Sequence, residues 1–206
     1  MVIGPWNEKR GEEVEEAAEE VDRQCREGGS EVRREDGEKK NSPGVRFADA
    51  EGDTAEHILK RLGTAVNHGR HLFAPLNDAT LADGVFLQVD ANCVVDKPVQ
   101  VVWLTSGQVD ALGVTQRLLV ELGSHSQACL VESFANTATG GTAFTNGITE
   151  LLLQDGARLE HYRLHLEESE AVHIGGVHSL LGSHSTLNSF HLALGSSLKR
   201  IDVVVQ

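Results

Sequence analysis

Histidine is the residue type in this chain whose number and spacing most invite chemistry. Imidazole nitrogens bind zinc and iron. On an extended strand, however, His161 and His165 share a face about 13 Å apart, too far to hold one ion at ~2.1 Å from each nitrogen. A shared ion would need ligands from adjacent chain segments, so we predict surface histidines and no metal site. Six of the ten histidines crowd into 31 residues, namely His161, His165, His173, His178, His184 and His191.

The remaining candidates for catalysis are weaker. The sequence has no G-x-S-x-G, and Ser124 and Ser183 are predicted to be turn serines. It also lacks G-x-x-x-x-G-K-[ST], so any ATP chemistry is expected in a partner. Glu167, Glu168 and Glu170 cluster after a strand and predict a solvated loop rather than a glycosidase carboxylate pair. We therefore expect no enzyme activity and no catalytic residue.

Cysteine usage and charge narrow the class of protein further. Cys25, Cys93 and Cys129 form no C-x-x-C, which disfavours a disulfide framework or a zinc site and indicates a reducing, cytoplasmic setting. Cys93 and Cys129 are predicted to be small core residues. The net charge of −13 argues against nucleic acid as a partner. No apolar run approaches the ~20 residues that span a membrane.

Three stretches differ in character. Residues 1–53 are dominated by charged side chains and predict a mobile segment, with a possible helix at 12–27. Residues 54–73 carry apolar side chains at mostly i, i+3, i+4 spacing and predict one amphipathic helix, weakened by Gly63 and Gly69. From residue 74 to 206, short runs rich in Val and Leu alternate with Gly, Asn, Asp and Ser, which predicts a β-structure.

Internal repetition chooses between the β-architectures. The pentapeptide Leu-Gly-Ser-His-Ser occurs at 122–126 and again at 181–185. Glycines at 84, 123, 156, 182 and 195 lie mostly at multiples of 13 residues, which suggests a period near 26. Such a period with two or three strands per turn is typical of a parallel β-helix, in which stacked coils bury one continuous apolar column. An antiparallel sandwich and a cupin-like barrel with three inward histidines are the alternatives.

Alternation along one predicted strand assigns its two faces. Tyr162, Leu164 and Leu166 are expected to point inward, because they are the apolar members of the run. His161, Arg163 and His165 are then expected to point outward.

Several motifs in order resemble the SufB/SufD family. They are Phe73-Ala-Pro-Leu-Asn-Asp-Ala79, Asp83-Gly84-Val85, the strand 94–101 with Lys97-Pro98, Asn146-Gly-Ile-Thr-Glu150, His161-Tyr162-Arg163 and the run from Gly195 to Arg200. The similarity spans about residues 45–206 and is closer to SufD than to SufB.

The resemblance implies a right-handed parallel β-helix and a scaffold role in assembling iron–sulfur clusters. It implies partnership with SufB-like and SufC-like subunits, the latter an ATPase, with a cluster held on the assembled complex. The family pattern continues beyond residue 206, so we expect a core truncated at its C-terminus, and we assign no cluster-binding residue. The other functions that we consider are a carbohydrate-active β-helix protein and a histidine-rich metal-binding β-protein.

Overall fold

A computed structural model describes residues 32–33, 39–40, 44–69, 71–105, 112–136, 143–167 and 170–206. The possible helix at 12–27 and Cys25 lie outside these residues. The helices are α1 (Gly52–Arg61) and α2 (Ala74–Thr80), and the strands are β1 (Val32–Arg33), β2 (Lys39–Lys40), β3 (Gly44–Arg46), β4 (Val85–Val89), β5 (Val94–Val95), β6 (Val99–Thr105), β7 (Leu112–Leu122), β8 (Gln127–Asn136), β9 (Ala143–Leu153), β10 (Arg158–His165), β11 (Val172–Leu181), β12 (Thr186–Ala193) and β13 (Leu198–Val205).

Two mainly parallel sheets form the walls of a β-helix, which confirms the predicted fold. Sheet A has the order β12-β10-β8-β5-β1-β2, with β6 also on β8, and sheet B has the order β13-β11-β9-β7-β4-β3. From β7 onward the chain alternates between the sheets, so each coil contributes one strand to each wall. Antiparallel pairing among the described residues is confined to β1, β2 and β3, so the alternative of an antiparallel sandwich is wrong.

The repeated pentapeptide marks one corner of this β-helix. The amides of Gly123 and Gly182 donate to carbonyls of the preceding coil at 2.8 and 2.7 Å. The Ser126 and Ser185 hydroxyls close the same turns by donating to those glycines' carbonyl oxygens at 2.7 and 2.8 Å. The hydroxyls that satisfy the turns are therefore those of the second serine in each copy, rather than those of Ser124 and Ser183.

The coil length is not constant. Aligned positions in successive coils of sheet B are 33, 31, 28 and 26 residues apart. Gly156 stacks instead with Asn92, His125 and His184, all of which have φ between 58° and 69°. The glycines whose spacings suggested multiples of 13 residues therefore occupy different positions of the corner. The prediction of stacked coils was correct, but the prediction of a fixed period was wrong.

The apolar core fills the interior beside this corner. It contains leucines and valines from both sheets, such as Leu122, Leu130, Leu151 and Leu159, together with Cys93. This confirms the prediction for Cys93, whereas Cys129 is only half-buried. Stacked coils thus share one apolar column, as the repeat required.

The segment before β4 covers the outer face of sheet B. Helix α1 ends at Arg61, well short of the predicted end at residue 73, because Gly63 adopts φ +81° and turns the chain back toward the sheet. A second helix, α2, follows at residues 74–80. Strand β3 pairs with β4, so the folded region begins by residue 44, within the stretch predicted to be mobile. In the described part of the chain, no helix is long and apolar enough to cross a membrane.

Candidate functional site

Strand β10 points its charged and imidazole side chains into the β-helix. His161, Arg163 and His165 are fully buried, whereas Tyr162 is 39% exposed. Leu159 fixes this arrangement because it belongs to the apolar core, and every second residue after it must face the same side. The predicted orientation of this strand, with Tyr162 inward and the histidines on the surface, is wrong.

The interior therefore has a polar half that continues the apolar core along the same strands. We name it the interior polar cluster. It exists only because the coils stack, since its members come from strands of both sheets and from the β10–β11 connection. The cluster consists of Glu132, Thr149, His161, Arg163, His165, Glu167, His173 and Lys199.

Glu132 anchors one end of the cluster. The Thr149 hydroxyl donates to both carboxylate oxygens at 2.9 Å, and the Trp103 indole N–H donates to Oε1 at 3.0 Å. Arg163 Nε and His161 Nε2 each lie 3.4 Å from Oε2. Burial opposes ionisation of Glu132, but the Arg163 charge and the His161 and Thr149 contacts outweigh it and lower the pKa to about 2. This end therefore holds a compensated buried ion pair.

His165, Glu167 and His173 form the other end. His173 Nδ1 lies 2.8 Å from Glu167 Oε1, and His165 Nδ1 lies 3.4 Å from Oε2 of the same carboxylate. Lys199 Nζ lies 3.2 Å from that Oε2. One ligand atom from each of His165, Glu167 and His173 falls within 4.8 Å of the others. The two histidines come from strands in opposite walls. A shared ion would therefore have ligands from different chain segments, as the distance along a single strand requires.

Electrostatics keep the two imidazoles neutral and the carboxylate charged. Burial lowers the pKa of His165 to about 3, although the contact with Glu167 opposes the shift. Burial also lowers the pKa of His173 against the same opposing contact. For Glu167, burial acts to raise the pKa, but contacts with both histidines and the Lys199 charge lower it well below the usual carboxyl range. Both imidazoles therefore offer a nitrogen lone pair at neutral pH.

The Phe134 ring holds these side chains in place. His165 stacks on it at 4.6 Å between centroids with an interplanar angle of 3°, and His173 meets its edge at 4.9 Å. Arg163 Cζ lies 4.7 Å from the Phe134 centroid in a cation–π contact. The rings thus have well-defined positions before any ligand arrives.

Two paired glycines in sheet B make room for the cluster. A Cβ on Gly147 would lie 3.2 Å from His173 Nε2 and 3.4 Å from Arg163 Nη2. A Cβ on Gly175 would lie only 2.1 Å from the Gly147 carbonyl oxygen. Gly175 requires glycine because the neighbouring coil approaches so closely, and a side chain at Gly147 would crowd the inward side chains. Gly147 lies in one of the family-like motifs, which gave a partial sequence signal for this part of the site.

A second buried network attaches the helical segment to the outer face of sheet B. Arg117 and Glu150 are fully buried, with Arg117 Nη2 2.7 Å from Glu150 Oε1. Glu150 also accepts the amides of Gly63 and Ala65 at 2.8 and 3.1 Å. Arg117 Nη1 donates to Asn77 Oδ1 at 2.8 Å. This network explains why the chain leaves α1 after Arg61.

The family-like motif around Asn77 is part of the same attachment. Asn77 Nδ2 donates to the carbonyl oxygens of Gln116 and Asn146 at 3.2 and 2.8 Å, which ties α2 to two adjacent coils. Asn146 Nδ2 in turn donates to the Phe73 carbonyl oxygen at 3.0 Å. The motif residues thus stabilise the entry to the β-helix.

The other sequence candidates are dispersed. His178 is fully buried beneath His71, and their rings are 5.3 Å apart. His184 is exposed, as predicted, and His191 is half-buried. Glu167 is buried inside the β-helix, so its assignment to a solvated loop is wrong, and Glu168 lies outside the described residues. Glu170 is exposed.

Comparison with known proteins agrees with this architecture. The family model described as "SUF system FeS cluster assembly, SufBD core domain" matches residues 104–206, half of the chain. An iron–sulfur cluster assembly SufBD family protein of Synechocystis is 26% identical over 152 residues, covering 70% of this chain and 33% of the relative. The chain therefore spans about a third of the length of this curated relative.

Fold and site together define a parallel β-helix protein whose interior is half apolar and half ionic. The SufBD core model matches the residues that form the coils from β7 to β13. The chain belongs to the SufB/SufD family.

Proposed function

We propose that this chain is a non-catalytic scaffold subunit of the SUF machinery that assembles iron–sulfur clusters. The supporting observation is the match of residues 104–206 to the SufBD core, because these residues supply the coils from β7 to β13. The cluster is the cargo of the assembled complex, and the chain works in the cytoplasm with a SufB-like subunit and a SufC-like ATPase. The match does not separate SufD from SufB, and the SufD assignment rests on the sequence motifs.

An apolar outer face of sheet A supports the proposed role in binding partners. Val102 and Leu104 are 54% and 58% exposed, and Phe190 is 55% exposed beside Tyr162. In the parallel register, Val102 lies in one row with Ser133, Leu164 and Leu192, and the pair Tyr162 and Phe190 lies one outward position earlier along β10 and β12. Contiguous exposed apolar surface of this kind is typical of an interaction site.

Co-purification tests the proposal. The chain, carrying a non-histidine affinity tag, is co-expressed with SufB-like and SufC-like proteins, and the eluate is analysed by mass spectrometry. We expect both partners in a defined stoichiometry. The proposal would be overturned if both partners are absent from the eluate although circular dichroism shows that the chain is folded.

A variant pair tests the outer face of sheet A separately. Phe190→Ser removes an exposed aromatic ring and is expected to reduce capture if this face contacts a partner, because large aromatic side chains contribute most to such interfaces. Asn188→Ser, on the outer side of the same strand, serves as the matched control. Equal capture by both variants would assign the partner contact to another surface.

A further inference from the structure

We propose that His165, Glu167 and His173 form a binding site for one divalent transition-metal ion, such as Zn²⁺ or Fe²⁺, inside the β-helix. Two imidazoles and one carboxylate are an established ligand set for both ions when a fourth position is left open. The proposal concerns residues of this chain alone, so it does not depend on complex formation.

Unpaired ligand atoms carry the inference. Both ring nitrogens of His165 are buried and make no hydrogen bond. Oε2 of Glu167 is also buried, and its partner is the Lys199 ammonium at 3.2 Å. A buried polar atom without a partner destabilises the folded protein. A cation between these side chains would satisfy one atom of each ligand and offset that cost.

The geometry needs only a small contraction. Ligands of a tetrahedral ion at ~2.1 Å lie roughly 3.4 Å from one another, whereas the three candidate ligand atoms are now within 4.8 Å. The His165 and His173 ring centroids are 4.5 Å apart with an interplanar angle of 88°, so the two imidazoles are already in contact. His173 Nδ1 lies 2.8 Å from Glu167 Oε1, so this ring already presents a nitrogen to the carboxylate that would share the ion.

Neighbouring charges decide how tightly an ion is held. Arg163 is paired with Glu132 at 3.4 Å, so its charge is largely balanced. Lys199 competes directly for Glu167 Oε2, but its ammonium also donates to the Leu194 carbonyl oxygen at 3.2 Å. The lysine therefore keeps a hydrogen-bond partner when the ion takes the carboxylate. Removing the lysine charge by Lys199→Met should tighten binding.

The test is metal titration of the purified, chelator-stripped chain with a non-histidine tag. Zn²⁺ affinity is measured by competition with a chromophoric chelator, and Co²⁺ is added as a spectroscopic probe of tetrahedral nitrogen–oxygen coordination. We expect one ion per chain. His173→Gln and Glu167→Gln should each weaken binding at least about tenfold, because even residues behind the ligands typically contribute that much.

His184→Asn is the matched control, since His184 is exposed in the same part of the chain. Its affinity should equal that of the unaltered chain. Circular dichroism confirms that each variant is folded, and the more conservative Glu167→Gln preserves the test if His173→Gln does not fold. Absence of binding in the unaltered chain would overturn the proposal, as would affinity that survives both ligand variants or falls in the control. A weaker affinity in Lys199→Met would also contradict the assigned position of the ion.

Discussion

The buried pair of Arg117 and Glu150 should contribute strongly to the stability of this protein. Both side chains are fully buried, and Glu150 Oε1 receives Nε and Nη2 of Arg117 at 3.1 and 2.7 Å. Glu150→Ala would leave the buried guanidinium with only the partly exposed Asp78 carboxylate, 2.9 Å from Nη1, as its counter-charge. It would also remove the acceptor for the Gly63 and Ala65 amides. Breaking such a pair from one side typically costs about 3–5 kcal/mol.

The loss should be large on the scale of the whole molecule. A domain is typically stable by about 5–15 kcal/mol, and each kcal/mol shifts Tm by about 2–4 °C at this chain length. We therefore expect Glu150→Ala to lower Tm by on the order of 10 °C. Urea unfolding followed by far-ultraviolet circular dichroism should give a lower midpoint at an unchanged slope.

Two further variants separate burial from charge. Glu56→Ala removes the partner of Lys60 in a pair whose side chains are more than 70% exposed, and it should cost less than about 1 kcal/mol. The double variant Arg117→Met/Glu150→Leu removes both charges of the pair together. Its free energy of unfolding should therefore fall by much less than the sum of the losses in the two single variants. An additive double variant, or a Glu150→Ala loss no larger than the control, would refute the reasoning.

Two other predictions concern acid and close packing. Burial lowers the pKa of His165 to about 3 and of His178 to about 4, and the pKa of Glu132 is lowered to about 2. Because the unfolded chain binds more protons than the folded chain below pH ~6.5, stability should be full above that pH and fall from there toward pH 2. Urea midpoints measured across this range would disprove the assignment if they stayed constant down to pH 4. Gly175→Ala should destabilise the protein by about 1–3 kcal/mol or more, because the added Cβ would lie 2.1 Å from the neighbouring coil. Gly113→Ala is the control and should not destabilise it, since a Cβ there has nothing within 4 Å. Equal thermal unfolding of the two variants would contradict this prediction.

Repetition in the sequence was sufficient to predict stacked coils. The pentapeptide copies at 122–126 and 181–185 occupy equivalent corners because a β-helix places the same turn at the same point of each coil. Short runs of Val and Leu correctly predicted β-structure for most of residues 74–206, although residues 74–80 form α2. The family-like motif around Asn77 marked the entry to the core, although its hydrogen bonds to two coils became evident only in three dimensions.

The direction of the side chains could not be obtained from the same patterns. In β10, both alternating sets contain residues that suit an interior, since Tyr162 and Leu164 compete with Leu159. The register with β8 and β12 places Leu159 in the core, and the period of two then buries His161, Arg163 and His165. Rules for single strands assume an apolar interior, whereas this interior is half ionic.

By itself, the sequence determined the type of architecture, the family motifs and the absence of a known catalytic or phosphate-binding motif. Only the tertiary structure decided that His165 and His173 meet at Glu167, because they lie on opposite walls and the distance between them depends on how the coil closes. The same closure supplies Lys199 from a later strand. Contacts of this kind depend on coil length, which varies from 33 to 26 residues in this protein. Because the coils have no constant period, sequence spacing alone cannot predict these contacts.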